Sequence, residues 1–229
     1  MKLVIGNKNY SSWSMRPWVL MTELALPFEE EVARFDSFEP DSAFKRRIGA
    51  LSGAGKVPVL VDADGFAVWD TLAIVETLAE RFPEAGVWPR DARRRARARS
   101  LCAEMHAGFP ALRNHYAMNI EASLPEIGAR LHAQHADLRA DLARVADLWC
   151  AALVESGGPF LFGDYCAADA YFAPVVMRLR TYAPPGLPPA AMAYVERMTA
   201  TRGVAAWMRD ALAEHDFRAF EEPYRQARD

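Results

Sequence analysis

Residues 57–82 read VPVLVDADGFAVWDTLAIVETLAERF, and this stretch decides the fold. Two short runs of β-forming residues, VPVLV and FAVW, flank a turn that contains Asp64-Gly65, which is typical of a β-hairpin. Apolar residues then recur at helical spacing from Thr71 to Phe82. The stretch therefore predicts two antiparallel strands followed by a helix.

The residues that precede this unit predict two further strands and two helices. KLVIG (2–6) and FEEEVARF (28–35) are typical of strands, whereas 13–25 and 40–48 have helical patterns. The predicted order is thus β-α-β-α-β-β-α, an α/β layer architecture.

The rest of the chain predicts helices alone. A segment rich in proline and glycine, FPEAGVWPRD (82–91), indicates a linker. Helices are predicted over 91–120, with a bend at Pro110, and over 125–155, 167–182, 189–200 and 203–213. We expect an α/β domain at 1–82, a linker at 83–90 and an all-α domain at 91–229.

Composition excludes several functional classes. The net charge of -3 argues against nucleic acid or an anionic membrane as partner, and the arginine run RDARRRARARS (90–100) indicates a solvated helix face or a subunit interface. Three cysteines without a CxxC pair argue against a disulfide framework and a thiolate zinc site. No apolar run suits a membrane span or a signal peptide, so we expect a cytoplasmic protein.

Three local features can each bind a ligand or serve the fold alone. Val57-Pro58 is either an ordinary edge-strand proline or a cis peptide that turns the Val57 backbone outward. Asp70-Thr71 either caps the next helix or places a free helix N-terminus beside a ligand carboxylate. The serines of NYSSWSMRPW (9–18) are either helix caps or hydroxyl donors.

Together these features resemble the cytosolic glutathione transferases over nearly the whole chain. The resemblance rests on YSSWSMRPW, GKVPVLV, WDTLAI and GDYCAADAYF, and the serine-rich opening is most similar to the zeta and tau classes and their bacterial relatives. It implies a thioredoxin-like N-terminal domain joined to an all-α domain. It also implies a homodimer with glutathione as cosubstrate and no metal.

The resemblance also implies roles for individual residues. Ser11 matches the catalytic serine, with Ser12 as the alternative. The glutathione-binding residues that it implies are Lys56, Val57, cis-Pro58, Asp70 and Thr71. Trp13, His106, Phe109 and Arg113 are candidates to line the site of a small hydrophobic or electrophilic substrate, although an aromatic residue at helical spacing is also typical of a core.

A second motif of the family lies in the helical half. GDYCAAD resembles its capping box, with Cys166 where the family has serine or threonine and Asp169 at the third position after it. This motif implies a structural role and no catalytic one.

The implied function is activation of the glutathione thiol as a thiolate for attack on an electrophile. The same thiolate also supports cis–trans isomerisation, as in maleylacetoacetate isomerases. Arg16, which precedes Pro17, is either a basic group suited to a dicarboxylate substrate or a structural residue. A non-catalytic ligand carrier or interaction module with this fold is the third alternative.

Overall fold

Four strands form one mixed sheet in the order β2-β1-β3-β4 in the computed structural model, which describes residues 1–228. The strands are β1 (Lys2–Ile5), β2 (Glu29–Val32), β3 (Val59–Val61) and β4 (Ala67–Trp69). β1 pairs with β2 in parallel and with β3 antiparallel, and β3 pairs with β4 antiparallel. The predicted hairpin is thus β3-β4.

Three helices cover the two faces of this sheet: α1 (Ser12–Glu23), α2 (Ala43–Gly49) and α3 (Thr71–Arg81). Side chains alternate between the faces of a strand. Leu3 and Ile5 accordingly join the large core cluster that includes α1 and α3, whereas Val4 joins a smaller cluster with Phe44 and Ile48 of α2. α2 therefore lies on the face opposite to α1 and α3.

The remaining elements are helical. They are α4 (Ala92–Ala107), α5 (Pro110–His115), α6 (Pro125–Gln134), α7 (Ala136–Ser156), α8 (Ala167–Tyr182), α9 (Pro189–Ala200), α10 (Arg202–Glu214) and a 3₁₀ turn at Ala219–Glu221. This arrangement confirms the expected thioredoxin-like N-terminal part and helical C-terminal part. Within residues 1–228, none of the helices combines the length and the apolarity that crossing a bilayer requires.

The predicted extents of two helices, 91–120 and 125–155, were wrong. The predicted bend at Pro110 is a complete break, because Phe109 adopts φ 60° and buries its ring, and residues 117–124 are not helical. The predicted helix 125–155 is divided at His135, whose φ of -115° and ψ of 106° are extended. α6 packs on α8, whereas α7 packs on α5 and α9. The two halves of the predicted helix therefore contact different helices.

α8 is the central helix of the molecule, and Asp169 fixes its start. The buried carboxylate of Asp169 accepts hydrogen bonds from the backbone N–H of Leu161 (3.1 Å), that of Cys166 (3.0 Å) and the hydroxyl of Tyr194 (2.8 Å). The Cys166 sulfur faces the Asp169 N–H and completes a capping box. Asp169 thereby joins α8, α9 and the segment before α8.

We expect Asp169→Ala to lower the free energy of unfolding by about 3 kcal/mol or more, because it leaves three buried donors without an acceptor. Urea unfolding monitored by circular dichroism measures the change. Asp164→Ala is the matched control, since Asp164 is exposed in the same segment, and we expect less than about 0.5 kcal/mol for it. Equal losses in the two variants would contradict the assigned role.

Candidate functional site

A cavity of about 870 Å³ lies where the sheet meets the helical part of the chain. Its walls come from the start of α1, the segment before β3, the start of α3, and α4, α5 and α8. The structure brings ten of the eleven predicted site residues to it, namely Ser11, Ser12, Trp13, Lys56, Val57, Pro58, Asp70, Thr71, His106 and Arg113. Phe109 does not line this cavity, since its ring lies in the core cluster.

The two serines at the start of α1 differ in their surroundings. Ser11 is buried at the N-cap, and its Oγ lies 2.7 Å from Ser14 Oγ, which also accepts the N–H of Gly6 at 3.1 Å. Ser12 is half-buried, and its hydroxyl makes no hydrogen bond within residues 1–228. No side chain of the described residues caps α1, so its first N–H groups can stabilise an anion.

The Val57-Pro58 peptide is cis. The ladder of β3 begins at Val59, and Val57 makes no backbone hydrogen bond in the described chain. Its N–H and C=O can therefore pair with an extended ligand in the cavity.

The N-terminus of α3 presents a carboxylate. Asp70 caps the helix, with Oδ1 accepting the Leu72 N–H at 2.8 Å, and its Oδ2 lies 3.4 Å from His106 Nε2. Thr71 is buried, and its hydroxyl accepts a hydrogen bond from Tyr171 at 2.9 Å. The side chain of Asp70 suits an ammonium group, whereas Thr71 offers a helix-terminal backbone N–H.

Positive charge gathers around Trp13. The guanidinium groups of Arg16 and Arg113 lie 4.1 and 5.0 Å from the centre of its ring, and the His106 ring meets it edge-on at 4.9 Å. Arg16 is buried, and its Nε and Nη1 have no hydrogen-bond partner in the described part of the chain. Burial lowers the pKa of Arg16 to about 9. Burial also lowers the pKa of His106, an effect that the two arginines reinforce and Asp70 opposes.

Sequence reasoning missed three charged residues of the cavity. Lys45 of α2 donates to the carbonyl of Gly55 at 3.0 Å, beside Lys56. Arg178 of α8 is buried and donates from Nε to the Tyr116 carbonyl at 2.7 Å; burial lowers its pKa to about 10. Glu221 comes from the 3₁₀ turn near the end of the chain, and only folding brings it to the site.

Comparison with known proteins finds a matching family model and similar solved structures. Residues 10–81 match the family model of the glutathione S-transferase N-terminal domain. A glutathione transferase homologue from Burkholderia, solved with bound glutathione, is 26% identical, with 92% of this chain and 97% of that chain covered and a TM-score of 0.68. Residues 10–81 thus match the glutathione S-transferase N-terminal domain, and the fold of nearly the whole chain is similar to that of glutathione transferases.

Two further solved structures are similar to this chain over nearly its whole length. A glutathione transferase from Methylococcus capsulatus is 25% identical, with a TM-score of 0.67 over 92% of this chain and 98% of that chain. A zeta-class maleyl pyruvate isomerase shares the fold at 22% identity, with coverage of 92% and 96% and a TM-score of 0.66.

A relative found by sequence comparison is also named as an isomerase. A probable maleylacetoacetate isomerase of Caenorhabditis elegans is 32% identical over 107 residues, which are 46% of this chain and 49% of that protein. The match therefore spans about half the length of that relative.

The carboxyl group of Glu221 makes stability depend on pH. Burial, reinforced by the charge of Glu222, raises its pKa from 4.5 to about 7. Between these values the folded chain retains a proton that the unfolded chain has lost, so this group stabilises the fold at low pH and ceases to do so as the pH rises through 7. We expect Glu221→Gln to gain thermal stability relative to the wild type between pH 5 and pH 8.

Melting temperatures across this pH range measure the effect. Glu80→Gln, on the exposed face of α3, is the matched control and should follow the wild-type profile. A Glu221→Gln profile parallel to that of the wild type would show that the Glu221 carboxyl is not the group concerned.

Proposed function

We propose that the chain binds glutathione in this cavity and activates its thiol for attack on a small electrophile. The observation that carries the proposal is the convergence, in one cavity, of the serine pair at the start of α1, the unpaired backbone of Val57 and the N-terminus of α3. These groups match the parts of a γ-glutamyl tripeptide. The glutathione bound to the Burkholderia relative supports this choice of ligand.

Each part of glutathione has a complementary group. The extended cysteinyl unit pairs with the N–H and C=O of Val57, beside cis-Pro58. The γ-glutamyl ammonium meets the Asp70 carboxylate, and its carboxylate meets the N–H groups at the start of α3 beginning with Thr71. Lys56 and Lys45 lie on the same wall for the glycyl carboxylate. The thiol then points toward the start of α1.

A chain of hydrogen bonds can make Ser11 a donor to sulfur. The Gly6 N–H occupies the Ser14 oxygen, and the Ser14 hydroxyl can rotate to donate to Ser11. The Ser11 proton is then free for the sulfur. A free cysteinyl thiol has a pKa of about 8.5, and a hydroxyl donor with the helix N-terminus lowers it by about one to two units. The thiolate attacks a substrate that is held beside it. The translational and rotational entropy of bringing the two together is then lost on binding rather than in the reaction step.

A second candidate is glutathione-dependent cis–trans isomerisation of an unsaturated dicarboxylate. Arg113 and Arg178 both line the cavity, and neither makes an ion pair within residues 1–228. A half-buried Arg113 and a buried Arg178 that lack an ion-pair partner favour an anionic substrate, because the substrate would supply the missing counter-charge. In this reaction the thiolate adds to the double bond, the resulting single bond rotates, and the thiolate leaves. The curated relative's name, probable maleylacetoacetate isomerase, supports this alternative.

The same proposal includes what the family resemblance implies about localisation and assembly. The protein would be a cytoplasmic homodimer, with domains at 1–82 and 91–229 in each chain. The exposed arginines near the start of α4 are compatible with a solvated face or a subunit contact.

Ser11→Ala tests the donor directly. We expect the thiol pKa of bound glutathione, measured by ultraviolet difference titration, to rise by about one to two units, because a hydrogen bond to a charged group is worth about 1.5–3 kcal/mol. Ser14→Ala should raise it less, since Ser14 acts only through Ser11.

Ser12→Ala is the matched control, one residue away on the same wall. If the pKa rises in Ser12→Ala and not in Ser11→Ala, Ser12 is the donor. If wild-type chain binds no glutathione at all, the catalytic proposal is wrong and the fold serves a ligand carrier or interaction module.

Arg113→Gln distinguishes the two reactions. For a dianionic cis-alkene substrate we expect kcat/KM to fall about 10- to 100-fold, since a charged hydrogen bond of about 1.5–3 kcal/mol is lost. For a neutral aryl halide we expect a change below about threefold. Arg93→Gln, on the exposed face of α4, is the control. Equal losses with both substrates would argue against recognition of the substrate's charge by Arg113.

A further inference from the structure

Two histidines and an aspartate meet at a corner of the helical part, outside the residues that line the cavity. His115 is the last residue of α5, His135 lies between α6 and α7, and Asp137 is in the first turn of α7. The two imidazole rings stack with their centres 3.8 Å apart. One ligand atom from each of the three residues lies within 4.8 Å of the others. The fold thus brings His115 to two residues that lie 20 and 22 positions later in the sequence.

The potential ligand atoms of this cluster are free of other partners. No ring nitrogen of His115 or His135 makes a hydrogen bond or an ion pair within residues 1–228, and only one oxygen of Asp137 is engaged, by the Leu138 N–H at 2.9 Å. Both histidines are half-buried and Asp137 is exposed, so a solvated ion can reach them.

The helix break between α6 and α7 creates the corner. Residues 129–143 read ARLHAQHADLRADLA, without proline or glycine, and their pattern is helical. The chain nevertheless becomes extended at His135, whose side chain makes no capping hydrogen bond to the helix that follows. The break places His135 and Asp137 opposite the end of α5, where an uninterrupted helix could not turn both toward His115.

We propose that His115, His135 and Asp137 bind a divalent transition-metal ion of the zinc type. Two imidazoles and a carboxylate are a common ligand set for such ions, with water completing the shell. Ligand atoms around zinc lie about 2.0–2.2 Å from the ion, which places neighbouring ligands about 3.4 Å apart. Rotation of the partly exposed side chains closes the present separation of up to 4.8 Å.

A metal at this corner fastens α5 to the joint between α6 and α7. α5 already packs on α7, where Asp141 accepts the Leu112 N–H at 2.9 Å. The same short helix carries Arg113, and the chain after it continues along the cavity wall with Ala117 and Met118. The ion therefore stabilises the segment that shapes the substrate side of the cavity, without itself contacting that cavity.

The test is titration of tag-free protein with Zn²⁺ by isothermal calorimetry, with the melting temperature as a second readout. We expect one site per chain and a higher melting temperature with Zn²⁺. His115→Ala and His135→Ala should weaken binding at least tenfold and abolish the thermal shift. His115→Phe keeps an aromatic ring in the stack and removes the nitrogens, so it separates loss of a ligand from loss of packing.

Two histidine variants serve as controls. His132→Ala removes a histidine from α6 outside the cluster and should leave the affinity for Zn²⁺ unchanged. His106→Ala removes the histidine beside Asp70 in the cavity and should do the same. The proposal is overturned if wild type shows no Zn²⁺ site, if His115→Phe binds as tightly as wild type, or if tight binding is lost in His106→Ala instead.

Discussion

The contact between α1 and α8 is the constraint on which the cavity depends. The guanidinium of Arg16 on α1 lies between the rings of Trp13 and Tyr171, at 4.1 and 4.8 Å from their centres. The hydroxyl of Tyr171 in turn donates to Thr71 at the start of α3. One buried cation and one tyrosine thus set the positions of the two helix N-termini that the ligand is proposed to meet. Because α8 is buried along almost its whole length, this arrangement has little freedom to shift.

The positive charge behind the cavity is costly to the fold. Burial lowers the pKa of Arg16 and of Arg178, which means that the folded protein disfavours their charged forms. Contacts with aromatic faces and backbone carbonyls offset part of this cost, and a buried cation without an anion is unfavourable for stability alone. Such an arrangement is expected where an incoming anion supplies the counter-charge, since functional sites commonly depart from the rules that maximise stability.

Local patterns predicted most of the fold and most of the cavity wall. The hairpin, the helix at 71–81 and the helices at 167–182 and 189–200 follow from periodicity and turn residues that lie within each segment. The break at His135 and the positive φ of Phe109 could not be predicted this way, because they result from packing between helices distant in sequence.

The candidate site shows the same limit. Ser11, Val57 and Asp70 lie in short motifs, so the sequence indicates them. Arg178 and Glu221 reach the cavity from α8 and from the 3₁₀ turn at Ala219–Glu221, and no local pattern marks either one. The sequence predicted no metal, and His115 and His135 have no motif spacing that would have suggested one.

The loop before α1 shows why a serine hydroxyl can serve as a donor here. A Cβ on Gly6 would lie 2.3 Å from the ring of Phe35, so only glycine allows the strand end to approach this closely. The Gly6 N–H donates to Ser14 Oγ, and the Ser11 hydroxyl donates to the same oxygen. The Ser11 side chain caps no N–H of α1. In the proposed mechanism the Ser14 hydroxyl rotates to donate to Ser11, and the Ser11 proton turns to the thiolate at the start of α1. This donation would complete a chain of hydrogen bonds that starts at the backbone.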